Sequence, residues 1–310
     1  MKDKVIVIEG PTSSGKTALS VELAKKINGE IISADSMQIY KDMQIGTSKV
    51  TSEEMQGIKH YLVDCVFPDQ RYSVAEFKHD AKCAIREILA KGKVPIVVGG
   101  TGLFIDSLIY EITYPNIEFD EKYRNELEER VKNEGLEALY IEAKKIDKQA
   151  TEKISPNDKK RILRIFEIYK ATGKNKTEQE IESRKEEPEF RYLVYALTWE
   201  REALYNRINN KVNQMIQTGL VKEVEYICQK YKQFPTAMQG LGYKEVVKYL
   251  EGITTYEEMI EEIKTETRRY AKRQLTWFRK NKEIVWLNGE EGLDKNLGLI
   301  MEEYFEKREI

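Results

Sequence analysis

The sequence lacks several features that define common classes of protein. No stretch of its 310 residues approaches the roughly 18 uninterrupted apolar residues of a membrane-spanning helix. The N-terminal segment enters a predicted strand at once, which leaves no room for a signal peptide. The three cysteines are scattered and form no CxxC pair, which argues against a disulfide framework or a zinc site. We therefore expect a cytoplasmic protein without a membrane segment.

Histidine and net charge are also scarce. His60 and His79 are the only histidines, so catalysis by a histidine base is not favoured. The formal net charge is −2, from 51 basic and 53 acidic residues. This balance excludes a uniformly basic nucleic-acid-coating protein but allows a local basic surface. With 41% hydrophobic and 34% charged residues, the chain is typical of a helix-rich globular protein of about two domains.

Short apolar, β-branched segments alternate with helical ones along much of the chain. The predicted strands are Val5–Ile8, Ile31–Ala34, Tyr61–Val63, Val94–Val98, Leu193–Leu197 and Ile284–Leu287. A capping box of Ser73 and Glu76 predicts the start of a helix that Gly92 ends. This alternation predicts an α/β fold with a mostly parallel, doubly wound sheet.

Two helical segments interrupt the alternation. Residues 116–190 are charged, helical in period and without a predicted strand, which indicates an inserted helical subdomain. Within it, SPND predicts a helix start with Pro156 as the first helical residue. From residue 200 the chain is helical again. We predict a P-loop NTPase-like core from residues 1–115 and 191–310, with a helical insertion and a helical C-terminal layer.

The segment GPTSSGKT matches the phosphate-binding pattern GxxxxGK[ST], directly after a strand and before a helix. In such a loop, backbone N–H groups and the helix N-terminus face an anion. Lys16 adds a positive charge, and the hydroxyl of Thr17 is placed to hold Mg²⁺. The predicted diphosphate-binding residues are Gly10, Pro11, Thr12, Ser13, Ser14, Gly15, Lys16 and Thr17.

The usual partners of this loop in an ATPase or GTPase are missing from the sequence. No strand ends in an evident acidic Walker B residue, no NKxD motif is present, and no arginine finger can be identified. We therefore expect the loop to hold a phosphate group without coupling its hydrolysis to work. Phosphoryl transfer to a small molecule and a reaction that releases pyrophosphate both remain open.

Asp35 follows the second predicted strand. Ligands of open α/β sheets bind beyond the carboxyl ends of the strands. Strand two neighbours strand one in several such sheets, which would bring Asp35 close to the phosphate loop. Its carboxylate could accept a proton from a nucleophile or anchor Mg²⁺ through water. A turn-capping role is the alternative.

Two basic segments favour a nucleic-acid partner. The helix over residues 265–282 carries Arg269 and Arg273 on one face, with Trp277 nearby, and residues 159–164 form a second cluster. Cations that contact phosphates beside aromatic rings are typical of nucleic-acid-binding surfaces. The alternative is that each segment is simply a solvated helix face.

Several longer motifs follow one another along nearly the whole chain. They are GPTSSGKT at Gly10–Thr17, DSMQIY at Asp35–Tyr40 followed by KDMQIGTSK, VVGGTGLF at Val97–Phe104, SPNDKKRILR at Ser155–Arg164, LTWEREALYNRI at Leu197–Ile208, QGLGYKE at Gln239–Glu245 and KRQLTWFRK at Lys272–Lys280. In this order they resemble the motifs of the tRNA dimethylallyltransferase (tRNA isopentenyltransferase) family. Small departures, such as Phe104 for a commoner tyrosine, touch no expected phosphate or proton ligand.

The resemblance implies a reaction. A dimethylallyl group would pass from dimethylallyl diphosphate to N6 of the adenosine just 3′ of the anticodon in tRNA, with release of pyrophosphate and a requirement for Mg²⁺. It also implies that Asp35 accepts the N6 proton, that Thr101 helps to fix the flipped base and that Lys16 stabilises the leaving group. The phosphates in the loop would then belong to a prenyl donor, which agrees with the missing ATPase parts.

The same resemblance implies a monomer whose helical insertion clasps the anticodon stem-loop. The residues that it places against tRNA are Asp35, Ser36, Met37, Gln38, Thr101, Arg124, Lys160, Arg161, Ile162, Leu163, Arg164, Gln239, Gly240, Leu241, Gly242, Tyr243, Lys244, Lys272, Arg273, Gln274, Trp277 and Arg279. The alternatives are an adenylate isopentenyltransferase, a P-loop kinase of a small metabolite and an RNA-binding nucleotide switch.

Overall fold

A six-stranded parallel sheet forms the centre of the protein, in a computed structural model that describes residues 2–114 and 120–306. The strand order is β3-β2-β4-β1-β5-β6. The strands are β1 (Lys4–Glu9), β2 (Gly29–Ser33), β3 (His60–Tyr61), β4 (Val94–Gly99), β5 (Arg191–Thr198) and β6 (Val285–Asn288). All six predicted strands are therefore present, with bounds that shift by at most two residues.

Helices connect and cover these strands. In chain order they are α1 (Lys16–Ile27), α2 (Ser52–Met55), α3 (Val74–Ala90), α4 (Gly102–Ile109), α5 (Glu121–Glu134), α6 (Leu136–Ile146), α7 (Lys148–Glu152), α8 (Lys159–Thr172), α9 (Lys176–Glu182), α10 (Arg201–Thr218), α11 (Leu220–Lys230), α12 (Tyr243–Leu250), α13 (Tyr256–Phe278) and α14 (Leu293–Glu306). The capping box predicted for α3 is confirmed: the Ser73 hydroxyl accepts from the Glu76 N–H, and the Glu76 carboxylate accepts from the Ser73 N–H.

The chain forms two compact units, Met1–Ile109 with Glu189–Ile310, and Tyr110–Pro188. The first unit contains the whole sheet. The second is helical, and its own apolar core includes Leu127, Leu139 and Phe166. The predicted fold class, a P-loop-like parallel α/β core with a helical insertion and a helical C-terminal layer, is confirmed. The predicted boundary between residues 115 and 116 lies outside the described residues.

Both faces of the sheet are buried. On one face, Val5 and Val7 of β1 pack with apolar residues of α3 and α4. On the other face, Ile6 and Ile8 pack with residues of α1 and α14. A parallel strand that is covered on both faces needs a near-continuous run of apolar residues. The sequence KVIVIE gives β1 such a run. Packing on both faces therefore fixes the position of the carboxyl edge of the sheet, where the phosphate loop begins.

Two sequence-based predictions about local geometry were wrong. The helix after SPND begins at Lys159, because the Asp158 side chain caps it by accepting from the Arg161 N–H at 3.1 Å. Pro156 precedes the helix, in a turn that the Asp158 N–H closes. The second strand is also not adjacent to the first, because β4 lies between them. Asp35 is thus separated from the phosphate loop by the end of β4.

Candidate active site

The phosphate loop connects β1 to α1 at the carboxyl edge of the sheet. Gly15 has a left-handed backbone (φ 94°), which glycine adopts without strain and which turns the chain into α1. Lys16, the first residue of α1, donates from Nζ to the carbonyl oxygens of Gly10 (2.9 Å) and Pro11 (2.7 Å). The ammonium group therefore lies folded into the loop that is expected to hold an anion.

The electrostatic surroundings of Lys16 favour an anionic ligand. Burial lowers the pKa of Lys16 to about 8, and the carboxylates of Asp35 and Glu9 oppose that shift. An anion bound beside the ammonium would raise its pKa again, because an opposite charge favours the charged form.

Gln274 of α13 joins the phosphate loop to the loop after β4. Its Oε1 accepts from the Thr12 N–H at 2.9 Å, and its Nε2 donates to the Gly100 carbonyl at 2.8 Å. The side chain is buried. Contact of Gln274 with tRNA remains a prediction, and in this structure its polar atoms bond to two loops of the site.

Asp35 lies at the end of β2, half-buried beside these loops. Its Oδ1 accepts from the backbone N–H groups of Met37 (2.9 Å) and Gln38 (3.3 Å). The turn-capping role is therefore real, but it uses one oxygen, and no residue in the described part of the chain donates to Oδ2. Asp35 is also near enough to Lys16 for its negative charge to oppose the lowering of the pKa of Lys16.

Thr101, Ser36 and Tyr270 form a polar group next to Asp35. The Thr101 hydroxyl accepts from the Ser36 N–H at 3.0 Å and donates to the Ser36 hydroxyl at 3.2 Å. Tyr270 of α13 lies near Thr101, and burial together with the charge of Asp35 raises its pKa to about 12. Gly99 permits this assembly, since a Cβ there would lie 2.1 Å from the Ala34 carbonyl oxygen. Tyr270 was not predicted from the sequence.

Two residues of the segment LTWEREALYNRI contact the phosphate loop directly. Trp199 donates from Nε1 to the Ser14 carbonyl at 2.9 Å, and Arg207 donates from Nε to the Ser13 carbonyl at 2.8 Å. The guanidinium of Arg207 stacks on the Trp199 ring at 4.1 Å. Arg207 is exposed beside the loop, so it adds a second cation there. The segment LTWEREALYNRI stands out in the sequence, but its spacing from the phosphate loop does not predict these two contacts.

A buried carboxyl lies beneath the loop. Glu9 is 2% exposed, and its Oε1 has no hydrogen-bond partner among the described residues. Burial, and then the charge of Asp106, raise the pKa of Glu9 to about 8 against the opposing charge of Lys16.

Trp277 donates from Nε1 to Asp106 at 2.9 Å, and its ring packs where a Cβ on Gly102 would lie. Trp277 thus has a structural contact as well as its predicted role at RNA.

Several side chains predicted to face tRNA are buried. Ile162 and Leu163 belong to the core of the helical unit, and Tyr243 is enclosed between α11, α12 and the segment around Gly46. The prediction is wrong for these three side chains, because a residue without exposed surface cannot contact RNA. Gly240 and Gly242 are buried as well.

The cations predicted to contact tRNA differ in their exposure and in their ion pairs. Lys244, Lys272, Arg273 and Arg279 are exposed on the sheet-bearing unit. On the helical unit, Arg161 is exposed and pairs with the cap residue Asp158, and Arg164 is exposed and pairs with Glu167 of the same helix. Lys160 is also exposed. Arg124 is half-buried and pairs with Glu167 at 2.8 Å and Glu128 at 3.1 Å. Contact of any of these cations with tRNA remains a prediction.

The fold and the site together define a P-loop-like α/β protein with a carboxylate, Asp35, at the same edge of the sheet as the loop. The family model described as "IPP transferase" matches residues 38–281. A protein of Acetivibrio thermocellus named tRNA dimethylallyltransferase is 51% identical over 93% of each chain, and one of Carboxydothermus hydrogenoformans with the same name is 49% identical over 95% of each.

Solved structures agree with these matches. The full-length tRNA isopentenylpyrophosphate transferase of Bacillus halodurans is 40% identical, with a TM-score of 0.73 over 99% of this chain and 98% of that one. A eukaryotic dimethylallyltransferase acting on tRNA is 32% identical, with a TM-score of 0.80 over 97% of this chain and 78% of that one. The chain belongs to the IPP transferase family. Among the described helices, none is long and apolar enough to cross a membrane.

Proposed function

We propose that this enzyme transfers a dimethylallyl group from dimethylallyl diphosphate to N6 of the adenosine just 3′ of the anticodon in tRNA. The observation that carries the proposal is the pairing of an anion cradle with a carboxylate. The phosphate loop and the turn that holds Asp35 are linked through the loop after β4, by the bonds of Gln274 to Thr12 and Gly100 and by the bond of Ser36 to Thr101. Oδ2 of Asp35 accepts no hydrogen bond within the described residues. The names of the matched relatives support tRNA as the acceptor, and the adenylate and kinase alternatives are not favoured.

The donor would bind through its diphosphate. Backbone N–H groups of the loop, the N-terminus of α1 and Lys16 would accept the charge that grows on the leaving group. Arg207 would add a second cation from outside the loop, since its Nη2 lies 3.6 Å from the position of a Cβ on Gly15. The departing pyrophosphate would thus be held on two sides, which makes the bond from the allylic carbon to oxygen easier to break.

The acceptor would be the exocyclic amine of adenine. Its lone pair is delocalised into the ring, so attack needs an electrophile with allylic cation character and removal of a proton. The bond from N6 to the allylic carbon forms as the carbon–oxygen bond breaks, and Asp35 takes the N6 proton. The base must first leave the stack of the anticodon loop, and Thr101 with Ser36 would hold it in place.

The residues present fit Mg²⁺. This ion is usually bound by one or two protein groups together with substrate phosphates. Thr17 is the second residue of α1, and its hydroxyl bonds to no other described residue. Bound there through Thr17, Mg²⁺ would neutralise charge on the diphosphate.

The exposed cations of two helices form the proposed surface for tRNA. We place the exposed cations of α13 and of α8 against the anticodon stem-loop, with the helical unit as a clasp, and we propose that the enzyme acts in the cytoplasm as a monomer. Phosphate contacts from such cations supply most of the affinity of an RNA-binding surface, and they weaken with salt.

An acceptor assay tests the proposed function. The enzyme is incubated with labelled dimethylallyl diphosphate, Mg²⁺ and either tRNA or AMP, and the label in each acceptor is measured. We expect label in tRNA and none in AMP, and we expect Asp35→Asn to abolish transfer while donor binding persists. Asp69→Asn, at an exposed loop position, is the matched control and should keep full activity. Label in AMP alone, or full turnover by Asp35→Asn, would contradict the assignment.

A further inference from the structure

A carboxylate outside the site holds the segment that follows Asp35. Glu223 of α11 accepts hydrogen bonds from three successive backbone N–H groups, those of Gln44 (2.8 Å), Ile45 (2.7 Å) and Gly46 (3.1 Å). The Tyr243 hydroxyl donates to the same carboxylate at 2.7 Å. Hydrogen bonds to an ionised acceptor are stronger than neutral ones. Four of them therefore tie α11 and α12 to this segment.

The packing around Glu223 leaves this segment little freedom. A Cβ added to Gly46 would lie 2.4 Å from the ring of Tyr243, so only glycine fits there. Burial and then the charge of Glu223 raise the pKa of Tyr243, which keeps its hydroxyl a donor. Asp42 adds a second tie, since it accepts from Lys230 at 2.7 Å and from Tyr231 at 2.6 Å.

Gln38 connects the segment to Asp35. Its Nε2 donates to the carbonyl oxygens of Thr47 (3.3 Å) and Ser48 (3.2 Å), directly after the residues that Glu223 binds. Its backbone N–H donates to Oδ1 of Asp35 at 3.3 Å. A displacement of residues 44–46 would therefore move Gln38 and the turn that orients the Asp35 carboxylate.

We propose that Glu223 is a positioning residue for the transfer reaction, acting on Asp35 through residues 44–48 and Gln38. This inference rests on the proposed function, because Asp35 is assigned there as the base. A glutamine at position 223 has the same shape, but its amide presents N–H groups to N–H donors. The segment would then lose bonds on one side and take up a different position.

The test compares Glu223→Gln with Glu225→Gln, an exposed position on the same helix. In steady-state transfer to tRNA we expect Glu223→Gln to lower kcat about tenfold or more, since small misplacements of a reacting group have large effects. The KM for dimethylallyl diphosphate should stay within about twofold, because the phosphate loop is untouched. Glu225→Gln should match the wild type in both constants.

A double-mutant cycle with Gln38→Ala then asks whether the effect runs through Gln38. Coupled residues give a double variant that is less impaired than the product of the single effects. If Glu223→Gln fails to fold, Tyr243→Phe removes one of the four bonds and should give a smaller loss of kcat, again with the donor KM unchanged. Unchanged kcat in the folded variants, or fully multiplicative effects with Gln38→Ala, would overturn the inference. A wild type that transfers nothing would instead refute the proposed function.

Discussion

Replacing Gln274 by alanine tests whether the two loops of the site are held as one unit. In the structure Gln274 accepts from the Thr12 N–H and donates to the Gly100 carbonyl, at 2.9 and 2.8 Å. Alanine cannot make either bond. The variant therefore leaves one backbone donor and one backbone acceptor without a partner, at a position that is 6% exposed in the wild type.

The expected effect follows from these two groups. A buried polar group without a partner costs about 1–3 kcal/mol, so both together would cost about 2–6 kcal/mol. Thr12 is half-buried, so water can reach its N–H and reduce the cost. We expect the free energy of unfolding to fall by about 2–4 kcal/mol, a sizeable share of the about 5–15 kcal/mol of a typical domain. The KM for dimethylallyl diphosphate should rise, because Thr12 belongs to the donor cradle.

Urea unfolding followed by circular dichroism measures the first effect, and steady-state kinetics measures the second. Gln229→Ala is the matched control, since Gln229 is exposed on α11 and its removal should change stability by less than about 0.5 kcal/mol. If Gln274→Ala is as stable as this control and has the wild-type KM for the donor, then the bonds of Gln274 do not hold the cradle together.

Three further predictions concern charge. Arg207→Ala should raise the KM for dimethylallyl diphosphate by about tenfold or more, because a charge-assisted bond to the leaving group is lost. Glu9 keeps its proton in the folded state up to a pKa of about 8, whereas its ordinary value is 4.5. Stability should therefore fall as pH rises through that interval, and Glu9→Gln should flatten the fall in denaturation at several pH values. Arg273→Glu should weaken tRNA binding and reduce its salt dependence, measured by filter binding in a salt series.

Each of these variants has a control at an exposed residue whose side chain ionises with the same sign of charge. Arg201→Ala should leave the donor KM unchanged, Glu225→Gln should leave the pH dependence of stability unchanged, and Lys232→Glu should leave the salt slope of tRNA binding unchanged. Equal effects of a variant and its control would refute the corresponding local assignment. For Arg273, an unchanged salt slope would mean that this helix face is only solvated.

Local patterns were sufficient for the main elements of the fold. Apolar runs located the six strands, and the capping box fixed the start of α3 because its bonds join residues three positions apart. The phosphate loop was equally clear, since its strand, glycines and helix are contiguous. The contact of Gln274 with Thr12 and Gly100 could not be predicted in this way, because it depends on how distant segments meet.

The errors in the predicted site have a related cause. The motif SPNDKKRILR was treated as one surface, but a helix alternates its faces. Ile162 and Leu163 point into the core of the helical unit, while Arg161 and Arg164 are exposed. The role of Arg207 was missed for the opposite reason, since a cation on a mixed helix looks like any solvated residue until α10 is placed beside the phosphate loop.

The central claim is that the cradle around Lys16 holds the diphosphate of a prenyl donor. Calorimetric titration of the wild type and of Lys16→Ala with dimethylallyl diphosphate and with ATP, each with Mg²⁺, tests it most directly. We predict binding of the prenyl diphosphate that Lys16→Ala weakens strongly and that ATP does not displace. Tight binding of ATP that depends on Lys16, without binding of the prenyl diphosphate, would contradict the claim.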